Sequence, residues 1–106
     1  MNILQEADKL TSGDRQKAYG HPLEDYRRTA KLWSAILGME VTALQAQLCM
    51  CAVKISRLCN SSEHRDSLVD LAGYARTYEM SLERMAEELN AASENTQCAS
   101  GSDHTQ

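Results

Sequence analysis

The residues of this chain that could bind a charged ligand fall into three groups. The members of the first group lie within seven residues of one another and are Arg15, Lys17, Tyr19 and His21. Guanidinium, ammonium and imidazole groups can contact phosphate, and a phenol ring can stack on a base. Gly20 and the only proline of the chain, Pro22, shape the backbone here. We therefore expect a loop of fixed shape that carries binding residues.

The second group is a pair of cations, Lys54 and Arg57, that are three residues apart. On a helix this spacing places both side chains on one face, beside the apolar residues rather than opposite them. They could contact a ligand or a carboxylate. The alternative is that their aliphatic stems reach from the edge of the core to water.

The third group combines two carboxylates with basic side chains and consists of His64, Arg65, Asp66 and Asp70, followed by Tyr74. Asp66 and Asp70 are four residues apart and share a helix face, so they could hold one hard cation. They could equally orient Lys54 and Arg57. The second use is favoured, because two carboxylates facing two cations leave little negative charge for a divalent ion.

Four helices are predicted to position these groups. A short helix spans about 2–10, and a second runs from Pro22 to Leu37 with Gly38 as its cap. Thr42 and Gln45 form a capping box for the third helix. A long fourth helix is predicted over 61–89. The predicted buried seam of the third helix is Leu44, Leu48, Cys51, Ile55 and Leu58. The predicted stripe of the fourth is His64, Leu68, Leu71, Ala75, Tyr78, Leu82, Met85 and Leu89.

With no alternating strand pattern, the fold is predicted to be an all-α bundle of three principal helices and a shorter N-terminal one. Residues 1–91 form the single domain, and the polar residues 92–106 form a disordered tail. The fourth helix is too long for its neighbours, so we expect a homo-oligomer, most simply a dimer in which the long helices pair. The alternative is a bent or frayed helix that folds back on its own bundle.

Composition restricts the classes of partner. The chain has a net charge of −4, which disfavours binding to duplex nucleic acid but leaves room for a local anion pocket. There is no apolar stretch long enough for a membrane span, so we expect a cytoplasmic protein. The four cysteines contain no Cys-x-x-Cys pair, and reduced thiols are therefore expected rather than disulfides or zinc.

Four stretches of the chain resemble a family of small proteins of tailed phages and prophages. They are Gly13–Pro22, with the letters YGHP at its end, Leu32–Gly38, Lys54–Leu58 and His64–Ala75, which reads HRDSLVDLAGYA. The resemblance covers about residues 3–80. It implies a phage origin and a location in the infected bacterial host, and it implies no particular activity.

A more distant resemblance is to the all-α nucleotide pyrophosphohydrolases of the MazG type. It rests on Asp66 and Asp70 followed by Leu71–Tyr74. It implies a helical bundle, an oligomer, and magnesium held by carboxylates of two helices. This chain has Lys54 and Arg57 where the earlier carboxylates of that family lie. Since cations attract phosphate and repel magnesium, the departure favours binding without hydrolysis.

The leading hypothesis is a phage-encoded nucleotide-binding protein that sequesters a nucleotide signal of host defence and needs no cofactor. Cations from all three groups would meet the phosphates in a single cavity at the junction of the third and fourth helices. Tyr19 or Tyr74 would stack on the base. His21 and His64 would bind phosphate best when protonated, below about pH 6.5.

Two alternatives belong to other classes. The first is a magnesium-dependent nucleoside triphosphate pyrophosphohydrolase, with Asp66, Asp70, Glu24 and Asp25 as metal ligands. The second is a helical module that binds a protein through the segment Leu82–Leu89. No catalytic residue can be assigned from the sequence.

Overall fold

The fold consists of four helices in the described part of the chain. This computed structural model describes residues 1–13 and 19–104, and the side chains of residues 1–13 and 19–95. The helices are α1 (Ile3–Ser12), α2 (Pro22–Leu37), α3 (Ala43–Asn60) and α4 (Arg65–His104). No strand occurs in these ranges, and the prediction of an all-α fold is confirmed.

The helices begin and end at residues whose side chains or conformations satisfy free backbone groups. Thr42 and Gln45 form the predicted capping box of α3, with hydrogen bonds of 3.1 and 3.0 Å. Asn2 and Gln5 form a second capping box, at α1, that was not predicted from the sequence. Gly38 ends α2 at a φ of 69°, a left-handed conformation that suits glycine, and its N–H donates to the carbonyl of Ser34.

The long helix α4 is the element against which α1, α2 and α3 all pack. Ion pairs connect α4 to two of these helices, α1 and α2. Arg65 of α4 lies 2.7 Å from Glu6 of α1, and Arg27 of α2 lies 2.7 Å from Glu88 of α4. The fold is therefore built around α4, and the other three helices pack along the first two thirds of its length.

The two ends of α4 differ from the sequence prediction. The helix begins at Arg65 rather than at residue 61, because residues 61–64 form a turn. In this turn the N–H of Ser61 donates to Arg57 and the N–H of His64 donates to Ser61. At the other end α4 continues through residues 92–104, the stretch predicted as a tail. The domain boundary at residue 91 stays a prediction.

The buried side of α3 is not the predicted apolar seam. Gln47 and Lys54 are buried, whereas Leu48 and Ile55 are 55% and 52% exposed. The predicted burial of these two apolar residues is wrong, because polar pairs with α4 occupy the contact line. Gln47 donates to Ser81 at 2.8 Å, and Lys54 pairs with Asp70.

A membrane span would need a long apolar helix in the described part of the chain. Within that part of the chain, none combines the length and apolar character that crossing a bilayer requires.

Candidate functional site

A concavity lies where α1, α2 and α4 meet. It has a volume of about 390 Å³, within the range of pockets that hold small molecules. We call it the tyrosine cavity, and its lining residues are Thr11, Tyr19, Gly20, Pro22, Asp25, Tyr26, Gly73, Tyr74 and Thr77. It thus brings together the predicted residues Tyr19 and Tyr74.

Three phenol rings contribute to the lining of the tyrosine cavity. Tyr19 is 63% exposed, while Tyr26 on α2 and Tyr74 on α4 are half-buried. Aromatic faces of this kind offer stacking surfaces to a planar ligand, and phenol hydroxyls add hydrogen-bonding capacity. A ligand with a flat ring and polar edges matches this lining.

Two glycines give the tyrosine cavity part of its shape. Gly20 has a φ of 78°, a left-handed conformation that L side chains rarely adopt. A Cβ atom at Gly73 would meet the Cγ2 of Thr11 at 3.5 Å, an ordinary contact distance. Gly73 therefore lies where α1 approaches α4, and its missing side chain leaves space in the cavity.

One carboxylate lines the tyrosine cavity. Asp25 is half-buried there, and its ion pair with Arg28 is long, at 3.9 Å. From the sequence, Asp25 was predicted only as a possible metal ligand, and Tyr26 was not predicted as a site residue. The signal that could have found both is their spacing from Pro22, because residues three and four positions apart share a helix face.

His21 lies at the start of α2 and has a structural role. Its Nδ1 atom accepts a hydrogen bond of 3.1 Å from the N–H of Leu23 and thereby caps the helix. Burial, followed by the nearby Arg84 guanidinium, lowers the pKa of His21 below its usual value. Both effects favour the neutral ring, which opposes the predicted role of His21 as a protonated phosphate ligand.

Lys54 and Asp70 form an ion pair between α3 and α4. The Nζ atom of Lys54 lies 2.9 Å from Oδ2 of Asp70, and the side chains are 11% and 19% exposed. Of the predicted contacts by which Asp66 and Asp70 would orient Lys54 and Arg57, the one between Asp70 and Lys54 is present. A buried ammonium held in this way positions helices more readily than it reaches a phosphate.

Arg57 and His64 line a second concavity at the α3–α4 turn, which we call the junction cavity. It has a volume of about 340 Å³, and Ser56, Asn60 and Ser61 complete its lining. The Nδ1 atom of His64 lies 2.7 Å from the hydroxyl of Ser67. The junction cavity shares no lining residue with the tyrosine cavity among the described residues.

The two cavities are separated along α4. Tyr74 lies ten positions after His64, which corresponds to about 15 Å along a helix. The predicted single cavity at the helix junction is therefore two cavities in the described part of the chain: Tyr19 and Tyr74 line one, and Arg57 and His64 line the other.

Two further predicted site residues, Arg65 and Asp66, line neither cavity. Arg65 donates to Glu6 and to the carbonyl of Met1, and so fastens α1 to α4. Asp66 is exposed in the first turn of α4, where a negative charge is favoured by the helix dipole. Arg15 and Lys17 lie outside the described residues.

Within residues 1–13 and 19–95, no group of three or more His, Cys, Asp or Glu side chains has a geometry suited to a metal ion. Cys49, Cys51 and Cys59 are free thiols. Burial raises the pKa of the Cys51 thiol, which makes its reactive thiolate form less populated.

Comparison with known proteins places the sequence in a family. A family model described as "Domain of unknown function (DUF6378)" matches residues 2–81. The chain belongs to this family. The match includes every described residue that lines the tyrosine cavity and the junction cavity. No solved structure matches the chain.

Two mycobacteriophage proteins are similar to this DUF6378 chain. The Gene 55 protein of Mycobacterium phage D29 is 40% identical over 86 residues, which cover 81% of this chain and 57% of that protein. The Gene 55 protein of Mycobacterium phage L5 is 38% identical over 80 residues, covering 74% and 51%. The chain thus spans little more than half the length of these relatives. The predicted resemblance to small phage proteins is confirmed, and the MazG resemblance stays a prediction.

Proposed function

We propose that this protein binds a nucleotide in the tyrosine cavity. The observation that carries the proposal is the combination of a volume of about 390 Å³ with three tyrosines on its walls. Stacking of a base on an aromatic side chain contributes about 1 to 3 kcal/mol. A base placed among Tyr19, Tyr26 and Tyr74 would gain this contribution from at least one ring.

The charge of the lining fixes the orientation that we propose for the nucleotide. Asp25 places a carboxylate in the cavity, which repels phosphate and accepts hydrogen bonds from the N–H groups of a base. The base end therefore enters, and the phosphates remain at the exposed side near Tyr19. In the sequence, Arg15 and Lys17 lie between the lining residues Thr11 and Tyr19, and we propose them as phosphate partners.

The similarity to phage proteins indicates a biological role for the proposed nucleotide binding. Proteins similar to this chain are encoded by mycobacteriophages, and a small phage protein that holds a nucleotide could withdraw a signal from a bacterial defence system. Binding without turnover is favoured over magnesium-dependent hydrolysis, because Lys54 already neutralises the Asp70 carboxylate. Sequestration requires only affinity and sufficient protein, not catalysis.

The experiment that tests the proposal is a calorimetric titration of the purified protein with AMP, GMP, their 3′,5′-cyclic forms and cyclic dinucleotides. At least one of these is expected to bind at micromolar concentration. Tyr74→Leu removes a ring from the cavity and should weaken that binding about tenfold or more. The matched control is Tyr78→Leu, one turn further along α4 and outside the cavity lining.

Three results would count against the proposal. One is that no member of the panel binds at tens of micromolar. Another is that Tyr74→Leu and Tyr78→Leu have equal effects. A third is pyrophosphate release from a nucleoside triphosphate that requires magnesium and disappears in Asp70→Asn, because it would establish the hydrolase alternative instead.

A further inference from the structure

One side of the α3–α4 pair carries apolar residues that no part of the described chain covers. Leu48, Ile55 and Leu82 are 55%, 52% and 47% exposed, and Leu44, Leu71 and Tyr78 beside them are half-buried. We call this surface the open face. The α3 residues belong to the predicted buried seam of the third helix, and the α4 residues belong to the predicted stripe of the fourth.

The positions of these residues follow from the contact line between the two helices. Lys54 and Gln47 of α3 face Asp70 and Ser81 of α4, which makes the helices antiparallel. The residue after each of these four is apolar: Ile55, Leu48, Leu71 and Leu82. One residue along a helix turns the side chain by about 100°. Because the two helices are antiparallel, this rotation is clockwise in one helix and counterclockwise in the other when both are viewed from the same end. The four apolar side chains therefore lie on the same side of the contact line.

The other side of the contact line is covered along α4 and at Ala46 of α3, while Val53 of α3, which precedes Lys54 on this side, is 41% exposed. Ala46, Val69 and Met80 each precede a contact residue, and all three are buried. Gly73, which faces Thr11 of α1, belongs to this side as well. The first two helices therefore cover most of one side of the α3–α4 pair and leave the opposite side open.

The open face carries no charge over its described length. The helical positions on this side between Leu44 and Cys59, and between Leu68 and Leu89, hold no Asp, Glu, Lys or Arg. Two helices about 10 Å wide and about 25 to 30 Å long give a projected area of roughly 500 Å². This is of the order of the roughly 800 Å² of accessible surface that one partner contributes to a standard interface. Single exposed leucines are ordinary, but a continuous uncharged face of this size marks an interaction surface.

We infer that the open face binds a second copy of this chain, so that two α3–α4 pairs form a four-helix core about a two-fold axis. An uncharged face is complementary to itself, because its burial against a copy leaves no ion without a partner. Charged side chains of a different partner would lose their hydration at this face without forming an ion pair. The tyrosine cavity lies toward α1 and α2, so it stays open in this dimer, and each dimer carries two cavities.

The oligomeric mass of the full chain tests this inference. Light scattering after size exclusion should give twice the chain mass of 11.8 kDa. The double variant Leu48→Glu with Leu82→Glu should give the single-chain mass, because dimerisation would bury four charges without partners. Both residues are already half exposed, so the fold should persist, and the helical circular dichroism should be unchanged.

The matched control is Ile36→Glu on α2. Ile36 is 79% exposed and lies outside the open face, so this variant should keep the mass of the wild type. The inference is overturned if the wild type has the single-chain mass at all concentrations tested. It is also overturned if Ile36→Glu dissociates the assembly while the double variant leaves its mass unchanged.

Discussion

The ammonium of Lys54 lies 2.9 Å from the carboxylate of Asp70, with both side chains largely removed from water between α3 and α4. Because this pair and the hydrogen bond from Gln47 to Ser81 form the contact line of the two helices, they set the register and rotation of α3. The exposure of Leu48 and Ile55, and with it the open face, is a consequence of that rotation.

Removal of the Lys54 charge should destabilise the protein strongly. Lys54→Ala leaves the Asp70 carboxylate without this partner, and loss of one member of a buried pair costs about 3 kcal/mol or more. The double variant Lys54→Met with Asp70→Leu should be more stable than Lys54→Ala, because it removes both charges of the pair. Urea denaturation measures both values. A single variant as stable as the wild type would mean that the pair does not hold the two helices.

A small and a large side chain at Gly73 should have different effects, one on protein stability and the other on nucleotide binding. Gly73→Ala should raise the free energy of unfolding by up to about 1 kcal/mol, because alanine favours a helix and its Cβ meets Thr11 at an ordinary distance. Gly73→Leu should fill part of the tyrosine cavity and abolish nucleotide binding. Thermal unfolding and titration calorimetry with the same nucleotide measure the two effects. Full binding by a folded Gly73→Leu variant would place the ligand elsewhere.

Protonation of His21 should lower stability in mild acid. The pKa of His21 is lowered in the folded protein by burial and by Arg84, so between that pKa and the usual value near 6.5 the unfolded chain binds more protons. The contribution of His21 is therefore present above about pH 6.5 and is lost as the pH falls through the folded pKa.

The test of this pH dependence is His21→Asn, which keeps a helix-capping side chain and does not titrate. Melting temperatures of the wild type and the variant are compared at pH 7.5 and pH 5.5. The decrease should be smaller in His21→Asn. An equal decrease in both proteins would show that His21 is not the group responsible.

Local sequence signals predicted the helix boundaries that depend on single residues. Pro22, Gly38 and Thr42 act within a few positions of themselves, so their effect on a helix end can be inferred without the fold. The start of α4 was predicted four residues early, because Ser61 and Ser62 resemble capping residues. In the structure the chain first makes a turn at 61–64.

The rotation of α3 and the composition of the tyrosine cavity could not be predicted in the same way. The apolar residues of α3 form the more regular stripe, yet Gln47 and Lys54 are buried because of partners 34 and 16 residues away in the sequence. Tyr19 and Tyr74 were predicted as binding residues. The cavity lining also includes Thr11, Asp25 and Tyr26 because of the way α1 and α2 cross α4. No local sequence pattern predicts that crossing.

The central claim is that a nucleotide occupies the tyrosine cavity, and an amide NMR titration tests it most directly. The ¹⁵N-labelled protein is titrated with the tightest-binding nucleotide of the calorimetric panel. We predict that the largest shifts occur at Gly20, Gly73 and Thr77. Shifts confined to residues 56–64 of the junction cavity, or no shifts at millimolar nucleotide, would contradict the claim.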